Sequence, residues 1–318
     1  MKLPSCVMPV AKISNLKKEI VQVQFNLQSL NIVKRKGEYY LYPHRCPHRG
    51  TDLLHGRLEG DNVVCPYHGW QMTPTGEAIH PKTQQRVCRI KTVKLQKKWG
   101  FVWFVPEGKE IHLEADENQI FCGSLEFSLS APFHVVLDNF NEGSHTPFVH
   151  RFLGPKVQDI PKVDFRFEDR GDHTFIEYVG PQKSNFIFRA MVPFQKVGWY
   201  INWKTSYRPP LMQYDSRWYT KRNSKTLFTN RNYYYILPDG KEKTKLFAFV
   251  YNSTPGLTKY FPFLVKWSSL IMTWNQVMED EVFYPKIADL PEDFRGLNLD
   301  EDDQAVKNIR LNIDLERL

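Results

Sequence analysis

The chain has 318 residues, and its 43 Lys and Arg against 35 Asp and Glu give a formal net charge of +8. Hydrophobic residues make up 42% and charged residues 25%, a composition that excludes a disordered, a collagen-like or a coiled-coil protein. The length predicts one large or two medium domains, each with its own core. Aromatic residues reach 14%, which favours a sheet-rich interior or a flat apolar binding pocket.

No targeting or membrane segment is predicted. The first ten residues lack the long apolar core of a signal peptide. The most apolar stretch, residues 260–274, is interrupted by Pro262 and Lys266 and is too short to span a bilayer. The five cysteines are odd in number and do not have the pattern of a secreted disulfide scaffold. We therefore expect a cytoplasmic protein with no membrane partner.

Two short segments in the first third of the chain each combine a cysteine with a histidine. They are residues 46–50, CPHRG, and residues 65–70, CPYHGW. The prolines restrict the backbone, and the glycines permit the positive φ of a tight turn. The turn and strand pattern between the segments predicts that both loops lie at the tips of adjacent hairpins. Facing each other, the loops would offer two sulfur and two nitrogen ligands: Cys46, His48, Cys65 and His68.

A structural zinc site and a Rieske [2Fe–2S] centre both use two cysteines and two histidines. Zinc fingers pair Cys with Cys and His with His along the chain, whereas each loop here supplies one of each. In a Rieske centre two cysteines hold one iron and two histidines hold the other, so this order favours the Rieske interpretation. A zinc site combined with the basic charge would instead indicate a nucleic-acid-binding protein whose affinity falls steeply with salt.

A second candidate metal site lies in residues 138–150, DNFNEGSHTPFVH, which place two histidines five positions apart. We expect Pro147 to interrupt a regular helix between His145 and His150, so that a distorted turn aims both imidazoles at one point. Two histidines and one carboxylate on one face of an iron leave positions open for O₂ and substrate. The pair alone is weak evidence, but an electron carrier in the same chain needs an acceptor.

These motifs resemble those of the Rieske non-haem iron oxygenases, a family of ring-hydroxylating and demethylating enzymes. The pattern C-x-H-R-G, 14 residues and C-P-Y-H-G-W is similar to the family's cluster motif, and neither loop has the additional cysteine of respiratory-chain Rieske proteins. The resemblance implies that Cys46 and Cys65 bind one iron of the cluster and His48 and His68 the other. His44 and His55 are predicted not to be ligands.

The resemblance extends to the second site, where the pattern N-x-x-D/E-x-x-H-x₄-H matches Asn139, Glu142 and the two histidines. It implies that Asn139 lies near a mononuclear iron without binding it. Many members have Asp at the position of Glu142, and that carboxylate accepts a hydrogen bond from a cluster histidine of the neighbouring subunit. The implied electron route therefore runs from His68 across Glu142 to His145.

The resemblance also implies a third iron ligand, an aspartate in an acidic helical stretch far downstream. Asp280 is the match, and Glu279 and Glu281 are its local competitors. On a helix, the residues that share a face with Asp280 are candidates for the pocket wall; these are Thr273, Gln276 and Val277.

The predicted fold class is α+β. We expect an all-β Rieske [2Fe–2S] domain at residues 1–115, followed by a catalytic domain at residues 116–318. The resemblance implies a helix-grip (START-like) fold for the catalytic domain, with an antiparallel sheet wrapped over the iron-bearing helices. The runs that support this organisation are a buried strand at 98–104, strands within 186–203 and 226–236, and a long helix over 263–288.

The predicted function is a Rieske-type oxygenase component, a mono- or dioxygenase similar to the vanillate and dicamba monooxygenase group. It would use O₂ as co-substrate and receive electrons from NAD(P)H through a ferredoxin or flavin reductase, acting on a small aromatic or apolar substrate as a head-to-tail homotrimer. The alternative is a non-catalytic Rieske electron-transfer protein. Candidate contacts for an acidic ferredoxin are Arg45, Arg49 and Arg57. Candidates to pair with a substrate carboxylate, unless they lie on the surface, are Arg189, Arg208 and Arg231.

Overall fold

The computed structural model describes residues 1–25, 27–184, 196–222, 224–254, 256–287, 290–291 and 293–313. These residues belong to two compact units, Met1–Ile111 and His112–Glu316. None of the described helices combines the length and the apolar composition that crossing a lipid bilayer requires.

The first unit consists of short antiparallel strands. In its described residues one sheet has the order β1-β11-β10-β4-β3-β2 and a second has the order β5-β6-β7-β8-β9. Single 3₁₀ turns occur at Ile13–Asn15 and Leu53–His55. The strands are β1 (Met8–Lys12), β2 (Ile20–Phe25), β3 (Gln28–Arg35), β4 (Glu38–Pro43), β5 (Arg57–Glu59), β6 (Asn62–Val64), β7 (Gln71–Met72), β8 (Glu77–Ile79), β9 (Arg86–Arg89), β10 (Val93–Lys98) and β11 (Phe101–Phe104).

The end of the first unit differs in detail from the prediction of one buried strand over 98–104. Strand β10 ends at Lys98, and β11 begins at Phe101. Between them Trp99 and Gly100 have φ angles of 50° and 80°, which is the left-handed backbone of a two-residue hairpin turn. All four residues of β11 are buried, so the apolar run is split between a hairpin turn and a core strand.

The second unit is built on one antiparallel sheet with the order β12-β18-β17-β16-β15-β14-β13. Along β14 the residues alternate between buried and half-buried, as expected for a sheet with one face against a core. The strands are β12 (Gln119–Leu129), β13 (Asp164–Asp169), β14 (His173–Pro181), β15 (Val197–Tyr207), β16 (Pro210–Thr220), β17 (Thr226–Pro238) and β18 (Thr244–Ser253).

Helices pack on this sheet and carry the candidate iron ligands. They are α1 (Phe133–Asn141), α2 (Thr146–Val149), α3 (Pro262–Glu281), α4 (Tyr284–Ile287) and α5 (Glu301–Asn312), with 3₁₀ turns at Val157–Lys162 and Gly256–Tyr260. The long helix α3 contacts β12 and β18, α1 contacts β17, and α5 contacts β13, β14 and β15. An antiparallel sheet covered by helices agrees with the predicted α+β class.

The predicted runs of this unit correspond to elements with different ends. Residues 226–236 lie within β17, and residues 197–203 lie in β15; residues 186–195 lie outside the described residues. The helix expected over 263–288 is two helices, because α3 ends at Glu281 and α4 starts at Tyr284. Ala288, its predicted last residue, lies outside the described residues.

Candidate metal centres

The two cysteine-histidine loops have the same backbone hydrogen bonds. Cys46 N–H donates to the carbonyl of Thr51 at 2.8 Å, and Cys65 N–H donates to that of Trp70 at 2.8 Å. In both loops the N–H of the glycine four residues after the cysteine donates to the carbonyl of that cysteine, at 2.9 Å in the first loop and 3.1 Å in the second. These glycines have φ angles of 70° and 69°, which residues with a Cβ rarely adopt. The chain therefore builds one turn geometry twice.

The candidate ligands of these loops differ in burial, since the cysteines are buried and the histidines are not. Cys46 and Cys65 are 3% and 2% exposed and lie in the unit's core, and neither forms a disulfide. Burial raises the pKa of the Cys46 thiol to about 11. The imidazoles of His48 and His68 lie nearer the surface with ring centres 4.7 Å apart, and His48 stacks on Trp70 at 4.8 Å. Two buried sulfurs below two outer imidazoles fit a cluster in which one iron is bound by cysteines and the other by histidines.

The setting of the loops was predicted only in part. The second loop joins the paired strands β6 and β7, so it lies at a hairpin tip as expected. The first loop is instead closed by an isolated antiparallel bridge between Arg45 and Asp52. Arg45 also donates from Nη1 to the carbonyl of Gly50 at 2.8 Å, and Arg57 donates to Glu59 at 2.8 Å. Two of the three arginines proposed as ferredoxin contacts thus already have partners within the chain.

The histidines of the second centre flank one short helical turn. Helix α1 ends at Asn141, and α2 begins at Thr146 with His145 as its N-cap and His150 as its C-cap. Pro147 lies in the first turn of α2, where its missing N–H costs no hydrogen bond. The expectation that it interrupts a helix is therefore wrong, because the proline starts the single turn that sets the spacing of the two imidazoles.

Three atoms converge at this turn. Nε2 of His145 and Nε2 of His150 are 3.2 Å apart, and Oδ1 of Asp280 lies 3.5 Å from the first and 3.6 Å from the second. A point equidistant from the corners of this triangle is about 2.0 Å from each, the length of a metal–nitrogen or metal–oxygen bond. Asp280 is 6% exposed, and its Oδ1 makes no hydrogen bond with another described residue. This orphaned buried oxygen fits a metal ligand.

Each of the two imidazoles is held by a carboxylate on its other nitrogen. Nδ1 of His145 is hydrogen-bonded to Glu142 Oε1, and Nδ1 of His150 lies 3.1 Å from Glu279 Oε2. Burial would lower the pKa of His145, but Glu142 outweighs burial and raises it. Burial lowers the pKa of His150 to about 3, so its imidazole is neutral. Carboxylates in these positions fix the tautomer that presents Nε2 to a metal.

Asn139 contacts the third ligand rather than the imidazoles. Its amide is hydrogen-bonded to Asp280, and its Oδ1 accepts a hydrogen bond from the Tyr284 hydroxyl at 3.1 Å. Burial raises the pKa of Asp280 to about 7, against the opposing effects of His145 and of the Asn139 amide. The amide therefore supports the charged form of the buried carboxylate and orients it.

A cavity opens onto these ligands. Its wall comes from α1, α2, α3 and the inner face of β14 to β17. The sheet and the long helix contribute lining residues that include Tyr178, Trp199, Trp203, Tyr214, Ser216, Trp218, Asn230, Asn232, Tyr234, Gln276 and Val277. Of the three α3 residues predicted for the wall, Gln276 and Val277 line it, whereas Thr273 is buried without lining it.

Comparison with known proteins identifies the first centre. The family model described as Rieske [2Fe-2S] domain matches residues 6–97, which include both loops. This part of the chain is a Rieske [2Fe–2S] domain. The finding supports the predicted cluster, and it makes a structural zinc site in the two loops the less suitable interpretation.

Two curated relatives are similar to part of the chain. The 4beta-methylsterol monooxygenase of Methylococcus capsulatus is 28% identical over 161 residues, which cover 45% of this chain and 43% of that protein. The vanillate O-demethylase oxygenase subunit of a Pseudomonas species is 29% identical over 134 residues, 39% of this chain and 38% of that one. The chain therefore matches about two fifths of the length of these relatives.

The fold of the chain is similar to that of a solved structure. A crystal structure of dicamba monooxygenase bound to dicamba is 15% identical to this chain, with a TM-score of 0.72 over 98% of this chain and 97% of that one. The fold of that monooxygenase supports the predicted Rieske domain followed by a sheet-based second domain.

Two residues near the second centre were missed or misjudged from the sequence. Glu279 appeared only as a competitor of Asp280, but it holds His150. Lys183 had no predicted role, yet its Nζ donates to the carbonyls of Pro147, at 3.1 Å, and of His150. It thereby satisfies carbonyl groups at the C-terminal end of α2. No local motif around Lys183 distinguishes it from a surface lysine.

Neither of the two described arginines proposed for a substrate carboxylate lines the cavity. Arg231 points to the other face of the sheet, where it pairs with Asp215 and, at 3.0 Å, with Asp116. Arg208 is exposed at the turn between β15 and β16. Arg189 lies outside the described residues. The surface alternative therefore describes Arg208, whereas Arg231, with a side chain 16% exposed, is an ion-paired residue on the far face of the sheet.

Proposed function

We propose that this Rieske protein is an oxygenase component that activates O₂ at a mononuclear iron(II) bound by His145, His150 and Asp280. The observation that carries the proposal is the convergence of three ligand atoms, with separations of 3.2 to 3.6 Å, at the wall of an aromatic cavity. The same chain carries a Rieske domain. A cluster that delivers electrons and a site with three protein ligands are the two parts such a reaction requires.

Different residues have different roles in the proposed reaction. His145, His150 and Asp280 would hold iron(II), which would supply the activation of O₂ when bound. Glu142 and Glu279 orient the imidazoles, and the aromatic wall excludes water from the bound substrate. For a hydroxylation, one substrate C–H bond, O₂, two electrons and two protons give the alcohol and water. Where the carbon is an O- or N-methyl group, the hydroxymethyl product loses its C–O or C–N bond and gives formaldehyde and the demethylated alcohol or amine.

The hydrogen bonds of Glu142 support a proposed role for it as a bridge between the two metal centres. Its Oε2 accepts from Ser144 Oγ at 2.7 Å and from the His145 N–H at 3.1 Å, and Oε1 is bonded to the His145 ring. A carboxylate has about four acceptor sites, so one remains, and its side chain is 18% exposed. We propose that His68 from a second copy of the chain donates there within a homotrimer.

Residues 1–115 would then form the electron-receiving domain and residues 116–318 the catalytic domain. Because the curated relatives are named for a methylsterol and for vanillate, we propose a small, largely apolar organic substrate that is hydroxylated or demethylated. A ferredoxin or flavin reductase would supply the electrons from NAD(P)H. The exposed side chain of Arg49 beside the first cluster loop is a contact available to an acidic partner.

Purified protein tests the proposal. We expect a red-brown preparation with about three irons per chain, two in the cluster and one in the second centre. Asp280→Ala should keep the colour and lose substrate-dependent O₂ uptake, whereas Glu281→Ala, one residue along the same helix, should keep both. If Asp280→Ala and His150→Ala leave function unchanged, the protein is a non-catalytic electron carrier. A colourless, zinc-containing preparation excludes the cluster.

A further inference from the structure

The cavity wall beside the candidate iron ligands is mostly aromatic. Trp203 stacks on Tyr214 with ring centres 5.3 Å apart and an angle of 8°, and Tyr234 meets Tyr214 edge-on at 5.5 Å. Further along the sheet Trp199 stacks on Trp218 at 6.2 Å and 15°. These residues face the cavity from neighbouring strands. Such a wall favours a flat apolar ligand, because extended rings contact one another over their whole faces.

Within this aromatic wall lies a group of uncharged polar side chains, which we call the amide patch: Ser216, Asn230, Asn232 and Gln276. Ser216 and Asn230 are direct partners across β16 and β17, and Asn232 follows two residues later on the same face. Gln276 approaches from α3. Ser216 and Asn232 are each 6% exposed. Two strands and one helix of the second unit thus bring amide and hydroxyl groups to one part of an otherwise apolar cavity.

The amide patch keeps hydrogen-bonding capacity that the chain does not use. Ser216 and Gln276 make no side-chain hydrogen bond with another described residue. Asn232 donates from Nδ2 to the Tyr234 hydroxyl at 3.0 Å, but its Oδ1 is buried without a partner. Asn230 donates from Nδ2 to the carbonyl of Tyr251 at 3.0 Å, and no described residue donates to its Oδ1. Because an unsatisfied buried polar atom is costly, the Asn232 Oδ1 in particular points to a polar ligand, and the three neighbouring groups could bind the same ligand.

The charge of the wall decides which polar ligand fits. Among the described residues that line the cavity there is no lysine or arginine, and the charged residues are Glu142 and Asp280. Glu142 is already bonded to His145, and Asp280 is the third candidate iron ligand. None of the described lining residues would supply a counter-charge to a carboxylate at the amide patch, and burying an unpaired carboxylate costs far more than burying an amide or a hydroxyl with partners.

We infer that the cavity takes an uncharged, flat substrate whose carbonyl, amide or hydroxyl group binds the amide patch while its ring system lies against the tryptophans. This inference rests on the proposed function for the identity of the reacting end. It differs from the expectation that an arginine pairs with a substrate carboxylate. The amide patch holds one end of the molecule, and the carbon to be oxidised faces the three ligands.

Calorimetric titration of the intact protein without O₂ measures this binding independently of turnover. The probes are aryl carboxamides with one to four fused rings, each paired with the matching carboxylate. We expect the best carboxamide to bind at least about tenfold more tightly than its carboxylate. Gln276→Leu and Ser216→Ala should each weaken carboxamide binding about three- to tenfold. The matched variants Asn275→Leu and Ser268→Ala, which change residues outside this wall, should leave it unchanged.

The inference is overturned if a carboxylate binds as tightly as its carboxamide, if no carboxamide binds at millimolar concentration, or if the amide-patch variants match their controls. The failure of the proposed function is a separate result. It is seen when Asp280→Ala retains O₂ uptake, whichever probe binds. Tight carboxylate binding together with loss of uptake in Asp280→Ala would leave an oxygenase with a different substrate class.

Discussion

Replacing Glu279 by glutamine should weaken metal binding at a site where Glu279 is not itself a ligand. Its Oε2 lies 3.1 Å from Nδ1 of His150, and the side chains of Glu279 and His150 are 23% and 8% exposed. The substitution keeps size and an acceptor but removes the charge that favours the Nδ1-protonated tautomer. Loss of such a partner typically costs 10- to 100-fold in metal affinity, which is about 1.4 to 2.7 kcal/mol.

The affinity is measured by anaerobic competition between the protein and a chromophoric iron(II) chelator. Cobalt(II) substitution adds an absorption spectrum that reports the coordination of the metal. Glu281→Gln is the control, because it removes the same charge from the same helix and Glu281 has no hydrogen bond to a described residue. The reasoning is refuted if Glu279→Gln binds iron within twofold of the natural protein, or if Glu281→Gln weakens binding equally.

Three other predictions concern stability and metal content. Arg310→Ala should lower the free energy of unfolding by about 3–5 kcal/mol, because it leaves the buried Asp138 carboxylate without its partner. Burial already raises the pKa of Asp138 to about 6, so the loss of stability should shrink as the pH falls toward 4, where the carboxyl group is protonated. Urea titrations at pH 4.5 and 7 measure the loss and its pH dependence. An equal loss at the two pH values would contradict the predicted pH dependence. Gly154→Ala should lower the free energy of unfolding by about 1–3 kcal/mol more than Gly171→Ala. Both glycines have a positive φ, but only at Gly154 would a Cβ meet a neighbouring atom, Thr146 Cγ2, at 2.2 Å. Equal melting temperatures of the two variants would count against this prediction. Dialysis against an iron chelator should remove about one iron per chain and leave the visible colour, because the cluster cysteines are buried, and metal analysis with an absorption spectrum would show whether the colour is lost first.

The cluster loops were predictable because each ligand pair lies within four residues of chain. A turn of that length has few conformations, and its proline and glycine positions select one of them. The same argument covers His145 and His150, which one helical turn separates. What the spacing could not provide was the role of Pro147, since a proline starts a helix as readily as it ends one.

The contacts between distant parts of the chain were less accessible to sequence reasoning. Glu279, Asp280 and Glu281 are adjacent carboxylates, and successive residues of a helix point about 100° apart. The placement of α3 over the sheet decides that Asp280 faces both imidazoles while Glu279 reaches His150 across 129 positions of chain. The contact of Lys183 with the carbonyls of α2 depends on tertiary packing in the same way.

The paired rings of the sheet have a consequence for how this cavity changes during evolution or design. Each tryptophan of β15 stacks on a ring of β16, so shrinking one ring removes support from its neighbour as well as volume from the wall. Gln276 and Val277 lie on a helix whose side chains face the cavity from the opposite side without such stacking partners. Libraries that vary the half-buried Gln276 should therefore alter substrate size with little loss of folding. Libraries directed at the strands, or at Val277 in the core, should yield mostly unstable protein.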